Sequence, residues 1–179
     1  LGESFLERLE SWVYRSYLNR ADITGIKALK RRIQRQSLSG GNNSNNVNTG
    51  MGGIREIEFV IQFLQLLNGG DLPQVRTGST LNAIVELEQV GCLTMQERTL
   101  LGKNYEFLRK LEHQLQIMFD LQTHALPEDD IGLRRVALRA GYVDAEEESA
   151  LKTFRNDYAE KTGQNRRILD HLLHDAFSD

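Results

Sequence analysis

Gly52-Gly53-Ile54-Arg55-Glu56-Ile57-Glu58-Phe59-Val60-Ile61-Gln62-Phe63-Leu64-Gln65-Leu66-Leu67-Asn68 decides the fold. Ile57, Val60, Ile61, Leu64 and Leu67 recur at three- and four-residue steps, the spacing of one helix face. Phe59, Phe63 and Leu66 widen that face, so the helix is apolar nearly all round and belongs at the centre of its domain. Gly69-Gly70 ends it. A polar stripe runs along the same segment: Arg55, Glu58 and Gln62, at i, i+3 and i+7. The spacing returns as Arg109, Glu112 and Gln116 around Phe107-Leu108-Arg109-Lys110-Leu111-Glu112. Charge among apolar side chains is costly unless paired. The two stripes therefore predict two helices that meet and satisfy each other through a six-residue polar network.

Toward the N-terminus, residues 4–18 read as a helix with Phe5, Leu9, Trp12, Val13 and Tyr17 on one side. Ile26, Leu29 and Ile33 space another, which carries Lys27, Lys30, Arg31, Arg32 and Arg35. Residues 37–50 are mostly Ser, Gly and Asn and read as a flexible loop with nothing to bury. Toward the C-terminus, Ser79 caps a short helix that Gly91 closes. Thr94-Met95-Gln96-Glu97 is a capping box; the helix it opens runs to about residue 122 along a Leu101, Leu108, Leu111, Leu115 and Met118 seam. Asp129 or Asp130 caps a helix over 131–140. Asp144 caps the last one, with Glu146, Glu147 and Glu148 near its positive end. Leu151, Phe154, Tyr158, Leu169 and Leu172 follow its buried face. No strand alternation stands out. The expected architecture is all-α, an elongated bundle of about six to seven helices forming a single domain over 1–179. Ile57, Val60, Ile61, Leu64, Leu108, Leu111, Leu115 and Leu172 should build its core.

Composition narrows the function. At 179 residues the chain is one domain by size and needs no covalent staples. Its lone cysteine, Cys92, cannot form an internal disulfide, which fits a reducing cytoplasm. A net charge of −3 gives no footprint for nucleic acid. No apolar run is long enough for a membrane span. The chain starts at Leu1, and no signal-peptide pattern follows, so a piece of a longer polypeptide is expected.

Gly-Gly-Ile-Arg-Glu-Ile-Glu-Phe with Gln62, then Phe-Leu-Arg-Lys-Leu-Glu-His-Gln-Leu-Gln and Gln122-Thr123-His124-Ala125-Leu126-Pro127, resembles the glutamine synthetase adenylyltransferase family. These bacterial enzymes add AMP to glutamine synthetase and remove it. The resemblance runs from about Leu9 to about His174. It implies the helical domain that follows a nucleotidyltransferase domain, and the N-terminal, AMP-removing half more than the other. It further implies Mg²⁺ and ATP or ADP in the intact enzyme, glutamine synthetase and the PII signal protein as partners, and a place in nitrogen regulation. The chain departs from the family at two positions. The family usually has lysine at Asn48 and often a basic residue at Met51.

Each candidate motif has two readings. Gly52, Gly53, Arg55, Glu56 and Glu58 stand near the nucleotide site, or the stripe only fixes helix register. Gly50, Gly52 and Gly53 precede a helix N-terminus that could bind phosphate, but there is no Gly-Lys-Ser or Gly-Lys-Thr, and losing cations at Asn48 and Met51 removes strong phosphate partners. The basic helix could approach an acidic partner, or simply be solvated. His171 and His174 lie one turn apart without a third ligand, so no metal site is expected. The family's Asp-x-Asp pair occurs nowhere in the chain. No catalytic residue and no cofactor are therefore assigned to this fragment, which is expected to be inactive alone. The alternative is a docking module for PII or glutamine synthetase that contributes nothing to the nucleotide site. A related uridylyltransferase acting on PII is a further alternative, against which the Gly-Gly-Ile-Arg-Glu-Ile-Glu-Phe match argues.

Overall fold

Several helix starts along this chain are set by short polar side chains that reach back to free backbone donors. The structure, a computed structural model, describes residues 45–119, 123–145 and 149–176, with isolated positions Leu9, Val13, Tyr14, Thr24, Gly25 and Ala28. It shows five α-helices among the described residues: α1 Ile54–Asn68, α2 Thr80–Gln89, α3 Met95–Phe119, α4 Asp130–Arg139 and α5 Ala150–Ala176. The helices expected over 4–18 and from residue 24 onward, with their basic face, lie outside the described residues, as do Glu146, Glu147 and Glu148. Five helices among the described residues support the all-α class, and the count of six to seven is not confirmed. A short 3₁₀ turn, Pro73–Val75, links α1 to α2.

Ser79 accepts from Asn82 N ahead of α2, and Asp129 accepts from Gly132 N ahead of α4. Thr94 and Glu97 form the reciprocal capping box at α3: Glu97 N donates to Thr94 Oγ1 at 3.2 Å, and Thr94 N donates to Glu97 Oε2 at 2.8 Å. Asp144 accepts from Ala150 N at 2.9 Å and pairs with Arg134. These donors hold its carboxyl below the usual range, the bond from Ala150 N most of all.

α1 touches α2, α3 and α5, and α4 lies chiefly along α5. At 27 residues α5 is about 40 Å long. Every one of the eight expected core residues is buried, with Ile57, Leu108 and Leu115 fully so. Leu67 is the exception on the α1 face, at 38% exposed, whereas Gln65 turns inward. Its amide donates to Val75 O and Thr77 O, tying the α1–α2 connection to the core. On α5, Phe154 is buried, edge-on to Tyr142 and stacked on Tyr158. Burial pushes the Tyr158 phenol up to about 12.

The expected flexible loop over 37–50 does not extend to its last six residues; 37–44 lie outside the described ones. Val47 is fully buried, donates through its N–H to His124 O at 2.8 Å and accepts from Ile54 N. Leu126 N donates to Asn45 O, and Asn46 faces Ala125 in an isolated antiparallel bridge. One apolar side chain and a few backbone pairs suffice to pin a segment that composition alone marks as loop.

Candidate functional site

The glycine loop, residues 50–53, is folded onto its own helix and onto α5. Gly52 has φ +69°, and a Cβ there would lie 2.0 Å from Thr162 O of α5. Only a residue without a side chain allows that approach. Gly52 N donates to Glu56 Oε2 at 2.7 Å, and Gly52 O accepts from Asn165 Nδ2 at 2.8 Å. Arg166 Nη1 donates to Glu56 Oε1, and its Nε donates to Asp170. Asn104 of α3 donates to Asn165 Oδ1 at 2.9 Å, inside the protein. One buried carboxylate, two buried amides and a guanidinium thus lock loop, α1, α3 and α5 together.

This arrangement uses several backbone donors at the start of α1 internally. Gly53 N donates to Gly50 O, Ile54 N to Val47 O, and Arg55 N to Asn48 O. These four donors are spent on loop carbonyls and on Glu56, the chain's own anion.

The two polar stripes do not sequester each other, which corrects the expectation drawn from their spacing. Arg55, Gln62 and Arg109 are exposed, and Gln116 is half-buried. Glu58 is half-buried and accepts from Tyr105 Oη at 2.8 Å. Arg109 pairs with Glu112 one turn away on the same helix at 2.9 Å. Long charged side chains at the border of an apolar face reach water at little cost, so nothing forces the stripes inward. The residues of α1 and α3 that do turn inward are Glu56, Gln65, Asn104 and Glu112.

Glu112 forms a second buried centre. Its Oε1 accepts from Asn48 Nδ2 at 3.1 Å and lies 2.9 Å from His124 Nδ1. That imidazole nitrogen is buried, yet it is out of line for a hydrogen bond to the carboxylate and has no other partner. Asn48 Oδ1 is likewise buried and unpartnered.

Between loop and α5 runs a cleft of about 380 Å³ lined by Asn45, Met51, Tyr158, Thr162, Gly163 and Arg166. Among the described residues no three His, Cys, Asp or Glu side chains converge. The donors present therefore do not fit the Mg²⁺ and nucleotide that the resemblance implies, and no step is assigned to them here. His171 and His174 are exposed on α5. Cys92 is half-buried, and burial raises its thiol. No described helix is long and apolar enough to cross a membrane.

The sequence reading missed Asn104, Asn165 and Arg166. Asn104 sits between Leu101 and Leu108 on the α3 seam, and Asn165 falls four residues before Leu169 on the buried face of α5. An amide in a core register is the signal that could have found both.

The family profile described as GlnD PII-uridylyltransferase matches residues 23–173. The chain belongs to that family. Its curated relatives include the bifunctional glutamine synthetase adenylyltransferase/adenylyl-removing enzyme of Brucella suis biovar 1 (strain 1330), 41% identical over 165 residues, covering 88% of this chain and 17% of the relative. Enzymes of the same name from Mesorhizobium japonicum and Xanthomonas axonopodis pv. citri are 40% and 39% identical over 146 and 141 residues. Those alignments cover 80% and 79% of this chain and 15% of each relative. The chain spans less than a fifth of the length of the curated relatives it matches.

Proposed function

We propose that this chain is a helical accessory domain of a glutamine synthetase adenylyltransferase/adenylyl-removing enzyme, packed against a preceding nucleotidyltransferase domain whose site it shapes. The reading covers the AMP-removing half, with ATP, ADP and Mg²⁺ bound in the preceding domain, PII protein as regulator, and the cytoplasm as location. What supports it is the division of labour inside the shared Gly-Gly-Ile-Arg-Glu-Ile-Glu-Phe motif. Gly52, Gly53 and Glu56 are consumed internally, whereas Arg55 faces solvent and pairs with no described residue. An outward guanidinium held on a rigid loop–helix junction suits a carboxylate or phosphate on a neighbouring domain.

The test uses the full-length parent enzyme. Arg55→Ala should lower AMP removal from modified glutamine synthetase by about 10–100-fold through misplacement of the neighbouring site. The melting temperature of the 179-residue chain should stay unchanged. Wild-type turnover in that variant would remove the reading's main support.

A second reading, docking of PII or glutamine synthetase, is favoured by one observation. Ile131 and Leu138, seven residues apart on α4 and so on one face, are 71% and 42% exposed, and nearby Val143 is 73% exposed. In the same full-length enzyme, loss of PII response in Ile131→Asp with basal AMP removal intact would favour it.

A further inference from the structure

Resting on the docking reading of α4, we infer that the outward face of this helix receives an acidic amphipathic helix of a separate protein.

The face follows from helix geometry. Leu133, Val136 and Ala137 are the buried residues of α4, so the opposite side of the helix turns away from the core. At about 100° per residue, that side is centred on Ile131 and Leu138. Arg134 flanks the apolar pair on one side, and Arg135 and Arg139 flank it on the other. All five side chains are exposed. No acid occurs from Ile131 to Ala140. Arg134 is held by Asp144, so exposed Val143 stands at the edge of the same face. Arg135 and Arg139 pair with no described residue.

The chemistry of the face selects its occupant. Apolar residues seven apart are the step that a second helix matches with its own i, i+7 row. Guanidiniums on both flanks call for glutamate or aspartate beside that row. Two other occupants fit worse. Two copies of this chain meeting symmetrically here would set Arg135 and Arg139 against their own counterparts, and like charges across an interface oppose it. Anionic membranes are drawn by clusters of about four to eight cations. This face carries only Arg134, Arg135 and Arg139, its helix opens on Asp129 and Asp130, and the chain has a net charge of −3. A short apolar row with a charged rim suits an association that forms and releases, since permanent interfaces are larger and more apolar.

The experiment follows fluorescence anisotropy of a labelled model peptide added to the 179-residue chain. The peptide has about 18 residues, long enough to become helical, with a leucine row flanked by glutamates. Its control carries lysine in place of every glutamate. The glutamate peptide should bind with a Kd below about 100 µM at about 50 mM salt and weaken several-fold at about 200 mM. The lysine peptide should not bind up to about 1 mM. Arg135→Glu combined with Arg139→Glu should weaken the glutamate peptide by about tenfold or more and make the lysine peptide a ligand. That exchange of preference also shows that the variant is folded. Equal binding of both peptides, or of neither, would overturn the inference. So would sedimentation of the chain with phosphatidylglycerol vesicles while the peptide stays free. In the full-length parent, Ile131→Cys should react with a maleimide as fast as it does in the 179-residue chain, followed by mass spectrometry of the α4 peptide. Protection there would mean that the rest of the polypeptide covers α4, and would overturn the inference too. If Ile131→Asp abolishes the PII response while neither peptide binds, the docking reading stands and the acidic helix falls.

Discussion

Single positions in this chain divide by whether they need a backbone geometry or only a side-chain character. Gly52 needs the geometry. Its φ of +69° and the 2.0 Å approach of a would-be Cβ to the Thr162 carbonyl act together. Left-handed backbone costs a non-glycine residue about 1–3 kcal/mol, and the carbonyl belongs to a helix that cannot yield alone. Gly52→Ala should therefore lower unfolding stability by about 3 kcal/mol, read from urea melts. Gly91, which also has positive φ but open space around its Cβ position, provides the comparison, and Gly91→Ala should cost about 1 kcal/mol. Equal losses at the two glycines would mean that loop and α5 are not in contact. Arg55 and Glu56, adjacent in sequence, show the other division. The charge of one points to water, and that of the other is enclosed by Gly52 N and Arg166.

Elements were legible wherever their limits are set locally. A capping side chain acts within three or four residues, so Ser79, Thr94 and Asp129 announce helix starts before any tertiary contact is considered. The span of α1, Ile54–Asn68, follows from glycines on both sides. The same locality makes the Thr94–Glu97 box a clean test. The box is exposed, so its removal disturbs no packing. Thr94→Ala should cost about 1 kcal/mol in a thermal or urea melt, and Thr94→Ser should recover most of it. Loss of stability well beyond that, unrecovered by serine, would mean Thr94 does more than cap. What spacing could not give is the facing of one helix to another. Arg55-Glu58-Gln62 and Arg109-Glu112-Gln116 share a periodicity, but periodicity states only which residues share a face. Whether that face turns to a neighbour depends on where the wider apolar arc points. On α1 that arc takes Glu56 and Gln65 inward and leaves Arg55 and Gln62 outside.

Across the whole molecule the apolar core is permissive, and the buried amides are specific. Leucines and isoleucines at the α1–α3–α5 junction can pack in several registers with similar burial. The Asn104–Asn165–Gly52 chain is satisfied in only one: Asn104 Nδ2 reaches Asn165 Oδ1, and Asn165 Nδ2 reaches Gly52 O. The eight-residue core was readable from sequence because hydrophobic residues at helical spacing bury themselves in any such register. The candidate site was readable only in part, since the glycine motif stood out while its α3 and α5 partners come from 52 to 114 positions away in the chain. If the amides set register, they should be strongly coupled. Asn165→Leu alone strands the Gly52 carbonyl and leaves the Asn104 amide only its 3.3 Å contacts to Lys161 O and Gln164 Oε1, and should cost about 2–4 kcal/mol. Adding Asn104→Leu removes the amide that has lost its shortest bond, so the double variant should be no less stable than Asn165→Leu, giving a coupling energy of about 1–2 kcal/mol in a double-mutant cycle. Its amide exchange should nevertheless be faster across α5 than in the wild type, because stability is regained without the contact that fixes the helix in place. Strictly additive losses with unchanged exchange would mean that shape alone seats α5, and that the glycine loop rests on it without holding it.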